Sequence, residues 1–366
     1  MEIAVTGANG FIAKNFIYSF VGNQKFNINK ITRTTSKNRI KKILDKCRVL
    51  YHFAAVNRPN KKKTFKKDNF ELTKFICDYL QEKKLKTQII FSSSIQATKK
   101  NAYGISKKEC EKLLLSLKKK NDNNIFILRL PNIYGKWSKP NYNSVVATFC
   151  YNIARNKKVH ISNPNYNINL LYIDDLVVKL KEYTKIGLNK KKINLIKAKD
   201  KITLGQLYNK ISNFEIYRKK KFIGNISKDL NKKLYSTYIS FLPKNKMTYN
   251  IEKKNDSRGS FAEFYKNNDT GQVSFFIAKK GKIRGHHFHH SKVEKFLVVQ
   301  GSAIFNMFDI SSKKKHTFKL NDKNLKVIES IPGYQHYIKN VGKSNLIVLL
   351  WCNEIFDVMK PDTYKI

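Results

Sequence analysis

Four residues in the last third of the chain have the types and spacing to hold a metal ion: His287, His289, Glu294 and His336. His287 and His289 stand at i and i+2, so in a strand their imidazoles point to the same side. Three nitrogen donors and one carboxylate suit Zn2+, and equally iron, manganese or nickel, because donor type alone does not choose among them. His286 and His290 break the alternation and are expected to face outward or to support the ligands from behind. A small β-barrel would present such a set to its own interior.

The other end of the chain carries different chemistry. Thr6-Gly7-Ala8-Asn9-Gly10-Phe11-Ile12-Ala13 follows a strand directly and opens a helix. Gly7 permits the tight turn, Gly10 lets backbone approach a pyrophosphate, and the helix N-terminus receives the negative charge. Asn9, Phe11 and Ile12 belong to the same nucleotide-binding turn. An NAD site places an acidic residue about twenty positions on, to hold the ribose 2′-hydroxyl. No carboxylate occurs between Glu2 and Asp45, whereas Arg33 stands at the end of the second strand. A guanidinium there suits a 2′-phosphate, so the expected cofactor is NADPH.

Phe91-Ser92-Ser93-Ser94 ends a later strand, and Tyr103-GIS-Lys107 begins a helix. Tyr103 and Lys107 share one helix face at i, i+4. The ammonium is expected to lower the phenol pKa, letting Tyr103 pass a proton to a reacting oxygen that the Ser94 hydroxyl also binds.

These residues need elements to position them. In the first 200 residues, strand patterns at Ile3–Thr6, Ile28–Thr32, Val49–Ala54, Gln88–Phe91 and Ile125–Arg129 alternate with helical patterns. The helices are expected at Phe11–Phe20, Ser36–Asp45, Asn69–Glu82, Tyr103–Lys118 and Ser144–Asn156. Such alternation predicts a parallel, doubly wound sheet with helices on both faces. Between Thr32 and Val49 only one helix fits, so one usual strand is missing. The stretch from Leu204 to Asp229 is basic and helical, and Leu234–Lys244 reads as the exit of the first domain. Beyond about residue 247 come strands separated by turns: Gly271–Ala278, Lys295–Val299, Ser302–Phe308, Asn324–Ile328 and Leu346–Leu350. They predict an antiparallel barrel. The expected division is 1–244 and 245–366.

Bulk composition narrows the partners. The chain has 366 residues, 41% of them hydrophobic, enough for two ordinary globular cores. Its 73 Lys and Arg against 26 Asp and Glu give a net charge of +47. A nucleic-acid site would cluster that charge and interleave it with aromatics and Arg. Here the lysines are spread over almost every expected helix, amid many Asn and Ile, as compositional bias would produce. No nucleic-acid partner is expected, although a positive field still favours anionic ligands. Five scattered cysteines without C-x-x-C spacing predict reduced thiols and a cytoplasmic setting. The chain opens on a strand with no leader pattern, and no apolar run approaches membrane-spanning length, so no membrane partner is expected.

The first 240 residues resemble an extended short-chain dehydrogenase/reductase, with a Rossmann-type sheet. Tyr51-HFAAV-Asn57, Asn69-FEL-Thr73, Arg129-L-Pro131-Asn132-IY-Gly135 and Tyr172-I-Asp174-Asp175 fall in that superfamily's order. The resemblance implies that Ala54, Asn69, Tyr103, Lys107, Pro131 and Asn132 contact the cofactor, with Ser94, Tyr103 and Lys107 catalytic. Sugar dehydratases of the superfamily carry Asp-Glu after the catalytic Ser/Thr. Ile95-Gln96 stand there instead, which favours a ketone reductase. Residues 281–301 match the first cupin motif, G-x5-H-x-H-x4-E-x6-G. Gly333-YQ-His336-YIK-Asn340 matches the second, with Pro332 displaced next to the glycine. Asp256-SRGSFAEF-Tyr265 resembles the D-x-R-G-x-F-x-E opening of sugar-nucleotide 3,5-epimerases.

The whole chain is similar to the bifunctional UDP-sugar reductase/epimerase family of capsular polysaccharide and O-antigen synthesis. Ser92-SSIQAT, Gly135-KW-Ser138 and Leu234-YSTY carry that likeness in detail. It implies a UDP-2-acetamido-2,6-dideoxy-4-keto-hexose substrate, C3 epimerisation in the cupin, and NADPH-dependent C4 reduction to a 6-deoxy-L-talose product. It also implies Zn2+ and a homodimer, on the route to UDP-N-acetyl-L-fucosamine. A reductase whose cupin only mediates dimerisation is the alternative. Tyr334 and His290 are candidates for the base at C3, and Asn141–Ser144 for uridine contacts.

Overall fold

Alternate residues of β1 (Glu2–Thr6) go to opposite sides of a sheet. Ile3 and Val5 pack with Phe16, Leu176 and Leu180, whereas Ala4 packs with Ile40, Ile76 and Leu114. Strands buried on both faces in this way read as continuous apolar runs, which is why they were legible. The sequence continues with β2 (Asn27–Ile31), β3 (Val49–His52), β4 (Gln88–Ser94), β5 (Ile125–Leu130), β6 (Asn132–Tyr134), β7 (Asn167–Tyr172), β8 (Ile193–Leu195) and β9 (Asp200–Thr203). Six of them form a wholly parallel sheet in the order β2-β1-β3-β4-β5-β8, and β6-β7-β9 form a small second sheet. Helices α1 (Phe11–Tyr18) and α6 (Ile173–Glu182) cover one face. Helices α2 (Lys37–Leu44), α3 (Glu71–Glu82) and α4 (Ala102–Asn121) cover the other. The missing strand shows at the edge, where β2 alone lies beyond β1.

This computed structural model describes residues 1–56, 69–188, 192–224 and 226–365. Asn57 of the sequence motifs therefore lies outside the described residues. The chain divides into two compact units, one of Met1–Ile211 with Lys232–Leu242, the other of Ser212–Asn231 with Pro243–Ile366. Helix α5 (Val145–Ala154) begins behind a Ser144 cap; α7 (Leu204–Lys219) and α8 (Asp229–Ile239) follow. Leu234–Ile239, expected as an exit segment, is thus helical.

The second unit holds β10 (Lys253–Asp256), β11 (Gly259–Asn267), β12 (Gly271–Ala278), β13 (Ile283–His287), β14 (Glu294–Gln300), β15 (Ser302–Asp309), β16 (Lys315–Asn321), β17 (Val327–Glu329), β18 (Tyr334–Asn340) and β19 (Leu346–Cys352). They pair antiparallel into a six-stranded sheet, β10-β11-β12-β19-β14-β17, and a four-stranded sheet, β13-β18-β15-β16. Phe276, Phe296, Val298, Phe305, Ile338 and Val348 from both sheets form the shared core. Among the described residues no helix is long and apolar enough to cross a membrane.

Candidate active sites

In the parallel unit, a cleft of about 640 Å3 opens at the carboxyl ends of β1, β4 and β5, where doubly wound sheets bind ligands. Its wall includes Gly7, Asn9, Gly10, Phe11 and Ile12 from the first turn, Ser94, Tyr103 and Lys107 from the middle, and Pro131 and Asn132. Gly7 sits at φ +65°, and a Cβ there would come within 2.8 Å of the Ala54 Cα. The glycine thus allows β1 and β3 to end side by side. Ala13 is buried behind the turn, where its small side chain lets α1 lie close to the sheet.

A buried polar chain holds this turn. The Ala54 N–H donates to the Thr6 hydroxyl at 3.1 Å, and Thr6 Oγ1 lies 2.7 Å from His52 Nδ1. On the far side His52 Nε2 meets Thr73 Oγ1 at 2.9 Å, and Thr73 donates to the Asn69 carbonyl at 2.9 Å. With Thr73 donating onward, His52 carries its proton on Nε2 and accepts from Thr6 on Nδ1. Burial, with Lys107 adding to it, pulls the His52 pKa down to about 3, so the ring is neutral.

Tyr103 and Lys107 reach the cleft because α4 starts against the backbone of residues 96–99. The Asn101 side chain caps the helix by accepting from the Gly104 N–H at 2.8 Å, and a Cβ on Gly104 would strike the Gln96 carbonyl at 2.1 Å. The Tyr103 phenol hydrogen-bonds Ser94. Lys107 Nζ donates to the Ser92 carbonyl at 2.7 Å and stands 4.6 Å from the Phe91 ring centre. This corrects the expected charge effect. Burial and then Tyr142 lift the Tyr103 pKa to about 12, only partly opposed by Ser94, while burial lowers Lys107 to about 8. The amine is engaged with strand backbone rather than with the phenol.

Beneath the site Glu111 is buried and clamped. Arg129 grips it with Nε at 3.0 Å and a second nitrogen at 2.6 Å, and Ser93 donates to it at 2.5 Å. Sequence reasoning missed this clamp, although Glu111 lies four residues beyond Lys107 on the same helix. Three expected cofactor residues are not among those that line this cleft. Asn69 is buried, bonded to both backbone groups of Val56 and to Ser106, and so shapes the loop after β3 rather than the cleft wall. Ala54 backs Gly7, with Ala55 facing the cleft. Arg33 is exposed, two residues past β2, whose end receives the Ala8 N–H on the Ile31 carbonyl at 3.2 Å. Tyr142, Asn143 and Ser144 line the cleft as well.

In the antiparallel unit, His287, His289, Glu294 and His336 converge, their ligand atoms all within 4.8 Å of one another. A bulge brings this about: β13 pairs Gly285 with Tyr337 and then His287 with His336, leaving His286 out at φ +63°, stacked on Tyr337. His286 and His290 are exposed. The displaced Pro332 does not pull His336 away, since its Nε2 lies 3.1 Å from Glu294 Oε2. Burial raises the Glu294 carboxyl, but the facing His289 and His336 outweigh it and hold the group well below the usual carboxylate range. Burial and then His336 lower His287 to about 4.

The tautomers test whether a cation fits. His289 Nδ1 faces the Asp362 carbonyl at 2.5 Å and His336 Nδ1 faces the Tyr334 carbonyl at 3.3 Å. A carbonyl only accepts, so each Nδ1 carries a proton, and in the neutral ring each Nε2 lone pair then points inward. His289 Nε2 is buried without a hydrogen-bond partner, 3.2 Å from Glu294 Oε2. Two lone pairs aimed at a carboxylate at this range call for positive charge between them, which a divalent cation supplies. The surrounding cavity, about 320 Å3, is walled by Phe261, Phe276, Phe296 and Phe305, with Glu263, Arg284 and Lys292 among its polar groups. Phe261 and Glu263 come from the D-x-R-G-x-F-x-E stretch, whose Asp256 binds Arg258 and Arg284 at 2.7 and 3.3 Å. Neither Tyr334 nor His290 lines the cavity. The Cys352 thiol, unnoticed in the sequence, donates to Glu294 Oε1 at 3.3 Å.

Known proteins bear on these two sites. Residues 3–181 match the NAD dependent epimerase/dehydratase family, and residues 254–364 match the polysaccharide biosynthesis C-terminal domain. A UDP-2-acetamido-2,6-beta-L-arabino-hexul-4-ose reductase of Pseudomonas aeruginosa is 38% identical over 364 residues, covering 100% of this chain and 98% of that protein. The chain belongs to the CapF-like UDP-sugar reductase/epimerase family. The structure of the capsular polysaccharide assembling protein CapF from Staphylococcus aureus superposes with a TM-score of 0.92 at 36% identity, each chain fully covered. A UDP-glucose 4-epimerase of Thermotoga maritima shares only the fold, with a TM-score of 0.56 at 20% identity over 66% of this chain and 98% of its own. The CapF-like family thus joins a nicotinamide-type cleft and an antiparallel C-terminal unit in one chain, as this protein does.

Proposed function

We propose that the protein performs two consecutive reactions on a UDP-2-acetamido-2,6-dideoxy-4-keto-hexose. The antiparallel unit, a cupin in this reading, inverts C3. The parallel unit then reduces the C4 ketone with NADPH to a UDP-6-deoxy-L-talosamine-type product, in UDP-N-acetyl-L-fucosamine synthesis for capsule or O-antigen. The observation that carries the reading is the presence in one chain of the Ser94–Tyr103 hydrogen bond in the nucleotide cleft and the convergent four-donor cluster. The Pseudomonas relative is named for a reductase acting on a 4-ulose. A CapF structure carries the inhibitor 3-isopropenyl-tropolone, at a TM-score of 0.87 and 33% identity. A tropolone presents two adjacent oxygens, as metal chelators do.

In this scheme Gly7 and Gly10 admit the cofactor pyrophosphate to the α1 N-terminus, and Arg33 selects the 2′-phosphate. NADPH supplies the hydride. Ser94 and Tyr103 hydrogen-bond the C4 oxygen, and the Tyr103 phenol gives it the proton that completes the alcohol. Lys107, which donates to the Ser92 carbonyl in the cleft wall, would also hold the nicotinamide ribose. In the second site His287, His289, His336 and Glu294 would hold Zn2+ or another divalent cation. When bound, the cation supplies Lewis-acid stabilisation to charge that develops as the carbon beside a ketone loses its proton. The Phe261, Phe276, Phe296 and Phe305 walls exclude water. The five buried reduced thiols accord with a cytoplasmic enzyme, and we take the working form to be a homodimer.

Incubation with the UDP-4-keto sugar in D2O tests the scheme. Deuterium should enter C3 without cofactor, and the alcohol should form only with NADPH. His287→Ala should abolish labelling, whereas Tyr103→Phe should stop reduction and spare labelling. Loss of labelling in Tyr103→Phe would overturn the two-site scheme, and labelling that survives complete metal removal would leave the cupin as a dimerisation module.

A further inference from the structure

The last residues of the chain close around the loop that carries His289. The Asp362 carboxylate accepts from His290 N at 2.9 Å, Ser291 N at 2.9 Å, the Ser291 hydroxyl at 3.0 Å and Lys292 N at 2.8 Å. Its backbone carbonyl accepts from His289 Nδ1 at 2.5 Å. On one side Phe288 and Tyr364 exchange backbone hydrogen bonds of 2.9 and 3.0 Å. On the other, Lys292 Nζ donates to the Pro361 carbonyl at 2.6 Å and to Thr363 Oγ1 at 3.2 Å. Asp362 itself sits at φ +38°, in the left-handed region that non-glycine residues rarely occupy. Its side chain therefore fixes both the loop and its own backbone, and the backbone fixes the imidazole.

From this geometry we infer that the 361–364 segment is a positioning strap for the metal site, with Asp362 setting the tautomer and direction of His289. Asp362 is neither one of the four converging donors nor part of the cavity lining. It acts through His289, as the partners behind metal-bound histidines do elsewhere. Removing its carboxylate leaves the His290, Ser291 and Lys292 N–H groups without acceptors and lets the carbonyl swing off Nδ1. Segment 361–364 lies about seventy residues from His289 in sequence, so site assembly depends on the chain terminus being docked.

The inference rests on reading the cluster as a metal centre, and the test separates the two. Zn2+ affinity of the full chain is measured by competition with a chromophoric chelator, for wild type, Asp362→Ala, Asp362→Asn and Asp357→Ala. Asp357 serves as the control, an exposed tail residue whose carboxylate accepts from Met359 N at 2.9 Å. Asp362→Ala should bind Zn2+ about 10–100-fold more weakly, Asp362→Asn by an intermediate factor, and Asp357→Ala as wild type. The thermal transition of the metal-free variants controls for folding, and if Asp362→Ala does not fold, Asp362→Asn decides alone. Wild type and both Asp362 variants binding equally tightly refutes the strap. A wild-type chain with no affinity for Zn2+ refutes the metal centre and the strap with it.

Discussion

Lys107 Nζ donates to the carbonyl of Ser92 at 2.7 Å, two residues before the serine that binds Tyr103. Helix α4, which carries Tyr103, and strand β4, which carries Ser94, are thereby joined inside the cleft. The Tyr103 phenol stands at about 12 in this arrangement because burial dominates.

Tyr103→Phe keeps the ring that fills the site and deletes only the hydroxyl. Reductase kcat should fall about 100- to 10,000-fold, with KM for the sugar nearly unchanged. Stopped-flow NADPH oxidation reads both numbers. A fall below tenfold would mean another group supplies the proton.

Glu111→Ala should destabilise the parallel unit by about 3 kcal/mol, because it leaves Arg129 beside an empty acceptor and Ser93 without its partner. Urea denaturation followed by tryptophan or far-UV signals measures the loss. Glu111→Gln, which retains one acceptor, should lose less.

His52 sets an acid limb of stability. The unfolded ring titrates near 6.5 and the folded ring near 3, so between these values only the unfolded chain takes up the proton. The stabilising contribution is whole above pH 6.5 and is lost as pH falls toward 3. Its full size is on the order of 5 kcal/mol, at about 1.4 kcal/mol per pH unit. Denaturation between pH 7 and 4 should show this slope, and His52→Asn should flatten it while lowering stability at pH 7. Equal slopes in both proteins would refute a buried neutral His52.

Metal removal should act on one unit. Ligand binding to the folded state alone adds about 2.7 kcal/mol at a hundredfold excess over Kd. Chelation should therefore lower the melting transition of the antiparallel unit and leave that of the parallel unit in place. Calorimetry with and without chelator distinguishes the two, and His287→Ala should mimic the chelated profile.

By itself the sequence determined the class of both units and named most of the residues that the structure brings together in the cleft and in the four-donor cluster. The apolar runs of β1, β3, β4 and β5 announced a doubly buried sheet, Gly7 and Gly10 announced the turn, and the i, i+2 pair His287 and His289 announced one inward face. Strands β11, β13 and β18 were not among the expected strands, since their cavity-facing positions include Glu263, Gly285, His287 and His336 where the pattern looks for apolar side chains. The tertiary structure alone decided what lies behind each functional group. Asn69 meets Val56 and Ser106, Lys107 meets Ser92, and Glu111, His52 and Asp362 have partners 18 to 73 residues away. Periodicity reports which face of an element is buried; it carries no record of which distant donor meets which acceptor, and that pairing fixes tautomers, charges and the aim of each site.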